Sequence, residues 1–196
     1  MARVPTITTE RLVLRDWDDR DLGPFAALCA DPTVMEHFPS TLSSAEATEF
    51  VDRARRCWQV HGYGLWAVEL RTGDPTADGQ FVGYVGLAPG DAAGAGLVEV
   101  GWRLAATHWG NGYAPEAATH ALAWAFLSLG LDEVVSFTTV GNVRSQRVMA
   151  KIGMVRDPAR DFDHPHVDRT THPALVRHVV WSTTRSDWLD LHDAHP

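Results

Sequence analysis

Few features limit a fold as sharply as a strand that runs through a glycine-rich turn into a helix, and this chain carries one between Val98 and Phe126. Val98, Val100, Trp102 and Leu104 alternate with Glu99, Gly101 and Arg103, the period of a two-faced strand. His108, Trp109, Gly110, Asn111 and Gly112 make the turn, and Pro115 stands where a first helical residue tolerates a missing N–H. Ala118, Ala121, Leu122, Ala125, Phe126 and Leu129 then recur at helical spacing until Gly130. Main-chain N–H groups at such a helix start bind anions, and glycine lets the main chain approach a phosphate with no Cβ in the way. The same glycines also suit a tight turn that needs them for geometry alone. Two known phosphate loops are excluded. No Gly-Lys-Ser/Thr follows, and the third glycine and downstream acid of the dinucleotide fingerprint are missing.

The flanking segments set the fold class. A helix is expected over residues 18–29, stopped by Asp31 and Pro32. Ser43 and Glu46 have capping-box spacing ahead of a second helix, on which Ala47, Phe50, Val51, Ala54, Cys57 and Trp58 share a face. Residues 65–70 and 81–87 read as a hairpin around a turn-rich interval. Residues 134–140 read as a strand covered on both faces. A helix from Asn142 follows, with Val148, Met149 and Ile152 inward and Gly153 as its stop. Residues 156–173 read as a polar loop, 175–181 as a closing strand and 187–192 as a short tail helix. This order predicts an α+β fold around a mixed sheet with one βαβ unit near its centre.

The 196 residues suffice for one domain, expected over 8–183, with 184–196 as a tail. No apolar run approaches the roughly 18 residues of a membrane span, so no membrane association is expected. With 25 acidic against 17 basic residues and a net charge of −8, nucleic acid is excluded as a general partner. Residues 1–10 lack the basic flank and apolar run of a signal peptide, and a cytoplasmic location is expected. Cys29 and Cys57 read as buried helical thiols. His164, His166 and His172 share a loop with Asp161, Asp163 and Asp168, but their spacing matches no tight site, so no metal is expected.

Several segments together resemble the GNAT acetyltransferases. They are Thr9, Glu10, Arg11, Leu12, Val13, Leu14 and Arg15; the run from Val98 to Trp102; the turn Trp109, Gly110, Asn111, Gly112, Tyr113 and Ala114 with Glu116 and Ala117; and Asn142, Val143, Arg144 and Ser145 through Lys151, Ile152, Gly153 and Met154. The likeness covers residues 8–181 in the family's order and points to the branch that includes the ribosomal-protein N-terminal alanine acetyltransferases. It implies a central mixed, mostly antiparallel twisted sheet flanked by helices and splayed between two parallel strands, 98–104 and 134–140. Acetyl-CoA is then the co-substrate, lodged in that gap. By the same resemblance, the amides of Trp109, Gly110, Asn111, Gly112, Tyr113 and Ala114 hold its pyrophosphate. The main chain at Trp102, Arg103 and Leu104 lies along the pantetheine arm, Asn142 bonds to that arm, and Ser145 faces the sulfur. Two positions depart from the family: Thr107 where the turn usually opens with Gln or Arg, and Met149 where many members carry an acidic tyrosine.

Glu99 shares its strand face with Gly101 and Arg103 and has two readings: a base that deprotonates an incoming ammonium, or a salt-bridge partner of Arg103. Glu116 heads a helix, where the dipole favours negative charge, so its role is expected to be structural. Asn142 can equally cap its helix. Glu99 and Ser145 are thus the catalytic candidates of an N-acetyltransferase acting by direct attack. Trp17, Phe38, Trp58, Tyr63 and Trp66 read mainly as core, while the segments near 35–38 and 63–66 correspond to acceptor-pocket segments in the family. The acceptor is expected to be a primary amine, either a peptide N-terminus or a small amine. An α-amine of pKa near 8 is about a tenth neutral at pH 7, a lysine side chain below about a thousandth. Two rival readings are a non-catalytic acyl-CoA-binding or regulatory module, motivated by Met149, and transfer from a longer acyl-CoA. The assembly is left open between monomer and homodimer.

Overall fold

Leucines at alternate positions start the sheet: Leu12 and Leu14 are fully buried, while Val13 and Arg15 between them keep part of their surface. The computed structural model describes residues 3–193. It contains two compact units, one formed by the chain up to Ala88 with Gly101–His120, the other by Pro89–Val100 with the chain from Ala121.

In the first unit β1 (Ile7–Thr8) and β2 (Leu12–Arg15) are followed by α1 (Leu22–Ala30) and α2 (Ser44–His61), then by β3 (Leu65–Leu70) and β4 (Phe81–Pro89). These strands pair antiparallel in chain order, with Ile7 opposite Leu14, Leu12 opposite Leu70 and Trp66 opposite Val85. The last four residues of β5 (Val98–Leu104) lie against β4 at Gly83, whose φ is +140°. A Cβ there would stand 2.2 Å from the Arg103 carbonyl oxygen, so only glycine fits. Both bonds of the capping box form at α2. Ser43 Oγ accepts from the Glu46 amide, and Glu46 Oε2 accepts from the Ser43 amide at 2.8 Å. Ala47, Val51, Ala54 and Trp58 then face inward. The core joins Trp17, Phe25, Val51, Ala67 and Tyr84, with the Trp17 and Phe25 rings 5.2 Å apart. Phe38, read as core from the sequence, is instead 38% exposed.

The first helix starts later than residue 18. Asp18 caps a 3-10 turn, Asp19–Asp21, because the Asp21 carboxylate folds back onto the Asp18 amide. Asp21, only 1% exposed, also accepts from Arg15 Nη1 at 2.7 Å and Nη2 at 2.8 Å, while Arg15 Nε donates to Glu69 at 2.6 Å.

The second unit begins with the first residues of β5, which meet β6 (Glu133–Thr139) in parallel at Glu99 opposite Val135. Successive burial of Val134, Val135 and Ser136 shows β6 covered on both faces. Next come α4 (Val143–Lys151), β7 (Val155–Arg156), β8 (Phe162–Asp163), α5 (Pro173–Val176), β9 (Arg177–Thr184) and α6 (Arg185–Asp193). Strand β9 runs antiparallel to β6, Phe137 opposite Val180, and also carries β7 and β8. The sheet is therefore mixed and mostly antiparallel, as expected.

Two expectations need correction here. The segment 156–173 is not simply a loop, because Phe162 packs edge-on against Phe137 at 5.2 Å and stacks on His178 at 5.5 Å, which pins β8 to β9. The closing strand starts at Arg177 because Pro173, at a helix start, makes residues 173–176 a single helical turn. Residues 194–196 of the expected tail lie outside the described residues. Among the described residues no helix is long and apolar enough to cross a membrane.

Asp21→Ala removes the buried end of the Arg15 pair. The expected loss is about 3 kcal/mol in urea unfolding, the low end for breaking a buried pair because Glu69 still faces the guanidinium. A loss under about 0.5 kcal/mol would show that the pair is energetically idle.

Candidate acyl-transfer site

In the first unit a 3-10 turn, Ala106–His108, connects β5 to Gly110 and Gly112, which sit at φ +82° and +81°. An L-residue side chain costs about 1–2 kcal/mol in that conformation. Trp109 locks the turn from both its ends. Its amide donates to the Ala106 carbonyl at 3.1 Å and its indole Nε1 to the Leu104 carbonyl at 2.8 Å. The Trp109 amide, expected among the anion donors, is thereby used inside the protein. The N–H groups of Gly110, Asn111, Gly112, Tyr113 and Ala114 have no partner among the described residues, the last two because α3 (Tyr113–Ala123) begins there. A Cβ at Gly110 would meet nothing within 4 Å, while one at Gly112 would touch Arg11 Nη2 at 3.4 Å.

Pro115 is the third residue of α3 rather than the first. Having no N–H, it leaves the Asn111 carbonyl without a helical donor, and Arg11 Nη1 fills that role at 2.9 Å. Glu116 fastens the same arginine. Its carboxylate accepts from Thr9 Oγ1 at 2.5 Å, the Arg11 amide at 2.9 Å and Arg11 Nε at 2.8 Å, with Nη2 at 2.7 Å. Burial pushes this carboxyl up, but the bonds from Thr9 and Arg11 outweigh it and hold the group below the usual range. Glu116 is structural, as expected. Its partners Thr9 and Arg11, more than a hundred positions away, carried no sequence signal of that role.

The second unit holds Glu99, Asn142 and Ser145. Glu99 is half-buried and has no hydrogen-bond or ion-pair partner among the described residues, and burial pushes its carboxyl up to about 8. The salt-bridge reading is not realised, because the Arg103 guanidinium donates to Cys29 Sγ at 3.4 Å and lies over the Phe38 ring. Asn142 caps α4: Oδ1 accepts from the Ser145 amide at 3.1 Å while Nδ2 donates to Thr138 Oγ1 at 2.9 Å, leaving one amide N–H. The Ser145 hydroxyl has no partner among the described residues. Met149, 1% exposed, is a core thioether with no proton to give. On β5 the Leu104 carbonyl accepts from the Trp109 indole, the Arg103 carbonyl lies close against Gly83, and Trp102 is half-buried. No cluster of three or more His, Cys, Asp or Glu suited to a metal occurs among the described residues.

A strand that runs through a glycine turn into a helix start with unpartnered amides is a frame suited to an anionic ligand. Residues 11–155 match the acetyltransferase (GNAT) domain. The Bacillus subtilis protein YkkB is 33% identical over 149 residues, 76% of this chain and 84% of its own. The FsC-acetyl coenzyme A-N(2)-transacetylase of Aspergillus fumigatus is 31% identical over 197 positions, 94% of this chain and 78% of its own. The crystal structure of an Agrobacterium tumefaciens acetyltransferase superposes with a TM-score of 0.74 at 27% identity, covering 93% of this chain and 96% of its own. The chain belongs to the GNAT acetyltransferase family and is an acyltransferase.

Glu116→Gln keeps an oxygen for Thr9 but removes the ion pair with Arg11. The expected cost at pH 7 is about 1.5 kcal/mol, the low end for hydrogen bonds to charged groups because Arg11 is partly exposed. A carboxyl whose pKa falls on folding contributes fully above its unfolded value and loses that contribution as pH drops through its folded value. The stability gap between parent and variant should therefore close as pH falls below 4.5. A gap that stays constant down to pH 3 contradicts the assignment.

Proposed function

We propose that this acyltransferase moves the acetyl group of acetyl-CoA onto a primary amine, which attacks the thioester carbonyl directly. The observation that carries the reading is the run of unpartnered N–H groups at residues 110–114 in a chain of this family. In this reading those amides take the pyrophosphate, without the Trp109 amide. The main chain at Trp102, Arg103 and Leu104 lies along the pantetheine arm, and the remaining Asn142 amide N–H bonds to that arm.

Glu99 is the base. The neutral amine attacks, and as the nitrogen–carbon bond forms the Glu99 carboxylate takes the proton that the now cationic nitrogen sheds, directly or through one water. The carbon–sulfur bond breaks, and the thiolate takes a proton from the Ser145 hydroxyl, which solvent restores. The chemistry of Met149 leaves this task to another group. With a pKa of about 8, Glu99 is about a tenth ionised at pH 7, the same fraction as an α-amine that is neutral there. That match favours an α-amine over a lysine side chain as the acceptor. A peptide N-terminus and a small molecule both satisfy it.

Thiol release is best followed with an amine whose pKa lies well below 6, so that the acceptor stays neutral throughout. The parent rate should then rise with pH to a plateau, with its midpoint near 8. Glu99→Gln should lower the plateau by roughly one hundred- to ten-thousandfold and flatten the limb. A Gln variant that keeps the parent's pH dependence, merely scaled down, assigns deprotonation to another group.

A further inference from the structure

Arg103 is a buried cation without a counter-charge. The residue keeps 8% of its surface, and no carboxylate pairs with it among the described residues. Its guanidinium lies 4.1 Å from the Phe38 ring centroid, 5.5 Å from that of Phe50 and 5.6 Å from that of Tyr84. One donor, Nη1, reaches Cys29 Sγ at 3.4 Å, whereas Nε is sealed from solvent with no hydrogen-bond partner among the described residues. Cys29 does not neutralise the charge. Burial pushes its thiol up, against the smaller pull of Arg103, so the sulfur stays protonated. Aromatic faces compensate a cation in part, but they accept none of its planar, forked hydrogen bonds. A buried charge left in this state is costly, and proteins normally avoid it. The cage is thin on one side, where the 38%-exposed Phe38 is its outer wall.

We infer that Arg103 anchors an anionic group of the acceptor, so that the amine acetylated by this protein also carries a carboxylate. The inference rests on the acetyl-CoA-to-amine reading and narrows its acceptor. A guanidinium recognises a carboxylate by charge and by hydrogen bond, and Nη2, which unlike Nε is not sealed from solvent and has no partner among the described residues, is the donor left for an acceptor oxygen. The phosphates of the donor are the other anion in the reaction, and the unpartnered amides at residues 110–114 already provide for them. A polyamine is the acceptor class that this arrangement rejects, since it would bring further positive charge to an uncompensated cation.

The test compares kcat/KM for matched acceptors, amino acids and short acidic peptides against the same compounds with each carboxylate converted to an amide, together with spermidine. The expected preference of the parent protein for the free acid is at least tenfold. In Arg103→Met, which conserves volume and removes charge, that ratio should fall to about one. Arg103→Lys should retain part of it, because the charge remains while the Nη2 donor is lost. The ratio within each variant corrects for any change in folded fraction, and the preference of the parent needs no variant at all. Equal rates for acid and amide in the parent, or a better rate with spermidine, would overturn the inference and leave the amine reading intact. So would an Arg103→Met variant whose only kinetic change is a raised KM for acetyl-CoA, which would assign the anion to the donor. Absence of thiol release with every amine would overturn both.

Discussion

Glu116 is the residue on which the glycine turn after β5 depends. It sits in the first turn of α3, where its carboxylate is suited to the helix dipole, and it holds Arg11 through both main chain and side chain. Arg11 in turn takes the Asn111 carbonyl that Pro115 leaves without a donor. The N-terminal strand is therefore tied to the turn that follows β5. Gly110 and Gly112 supply the left-handed bends inside that frame, and Trp109 closes it from the strand side. With the carbonyls occupied in this way, the N–H groups of residues 110–114 are left without a partner among the described residues. A turn offering only main-chain donors has little sequence specificity of its own, and here its shape is specified by the side chains that brace it.

Two charged side chains stand outside this economy of paired groups. Glu99 is held with no partner, and desolvation moves its carboxyl to about 8. The sign of this shift works against folding. A carboxyl whose pKa rises on folding makes the protein progressively less stable as pH climbs from 4.5 to about 8. Arg103 is buried among three rings without a counter-ion among the described residues. Elsewhere the chain pairs its buried charges, as with Arg15, Asp21 and Glu69. Unpaired groups of this kind are where chemistry and recognition concentrate.

Much of this architecture was legible in local sequence. Ser43 and Glu46 announced α2 because a capping box needs only four residues. Alternation over residues 98–104 announced β5, and Gly153 at φ +82° ended α4 where its type predicted. What stayed hidden depends on partners distant in the chain. The pinning of β8 by Phe162 requires Phe137 and His178, and a His-rich polar stretch shows neither. Pro115 pointed correctly to a helix start, yet its exact position and its link to Arg11 emerge only when residue 111 is seen to lack a donor. Of the candidate site, the glycines and Glu99 were readable. That Trp109 spends its amide internally, and that Arg103 turns to an aromatic cage instead of to Glu99, follow from packing alone.

The central claim is that main-chain amides at residues 110–114 hold the donor through its pyrophosphate. It is tested most directly by comparing acetyl-CoA with acetyl-pantetheine, which carries the same thioester and arm but no phosphates, as donors at saturating acceptor. The account predicts that kcat/KM falls by at least a hundredfold for the truncated donor, about 2.7 kcal/mol of lost binding. Equal kcat/KM for the two donors would contradict it.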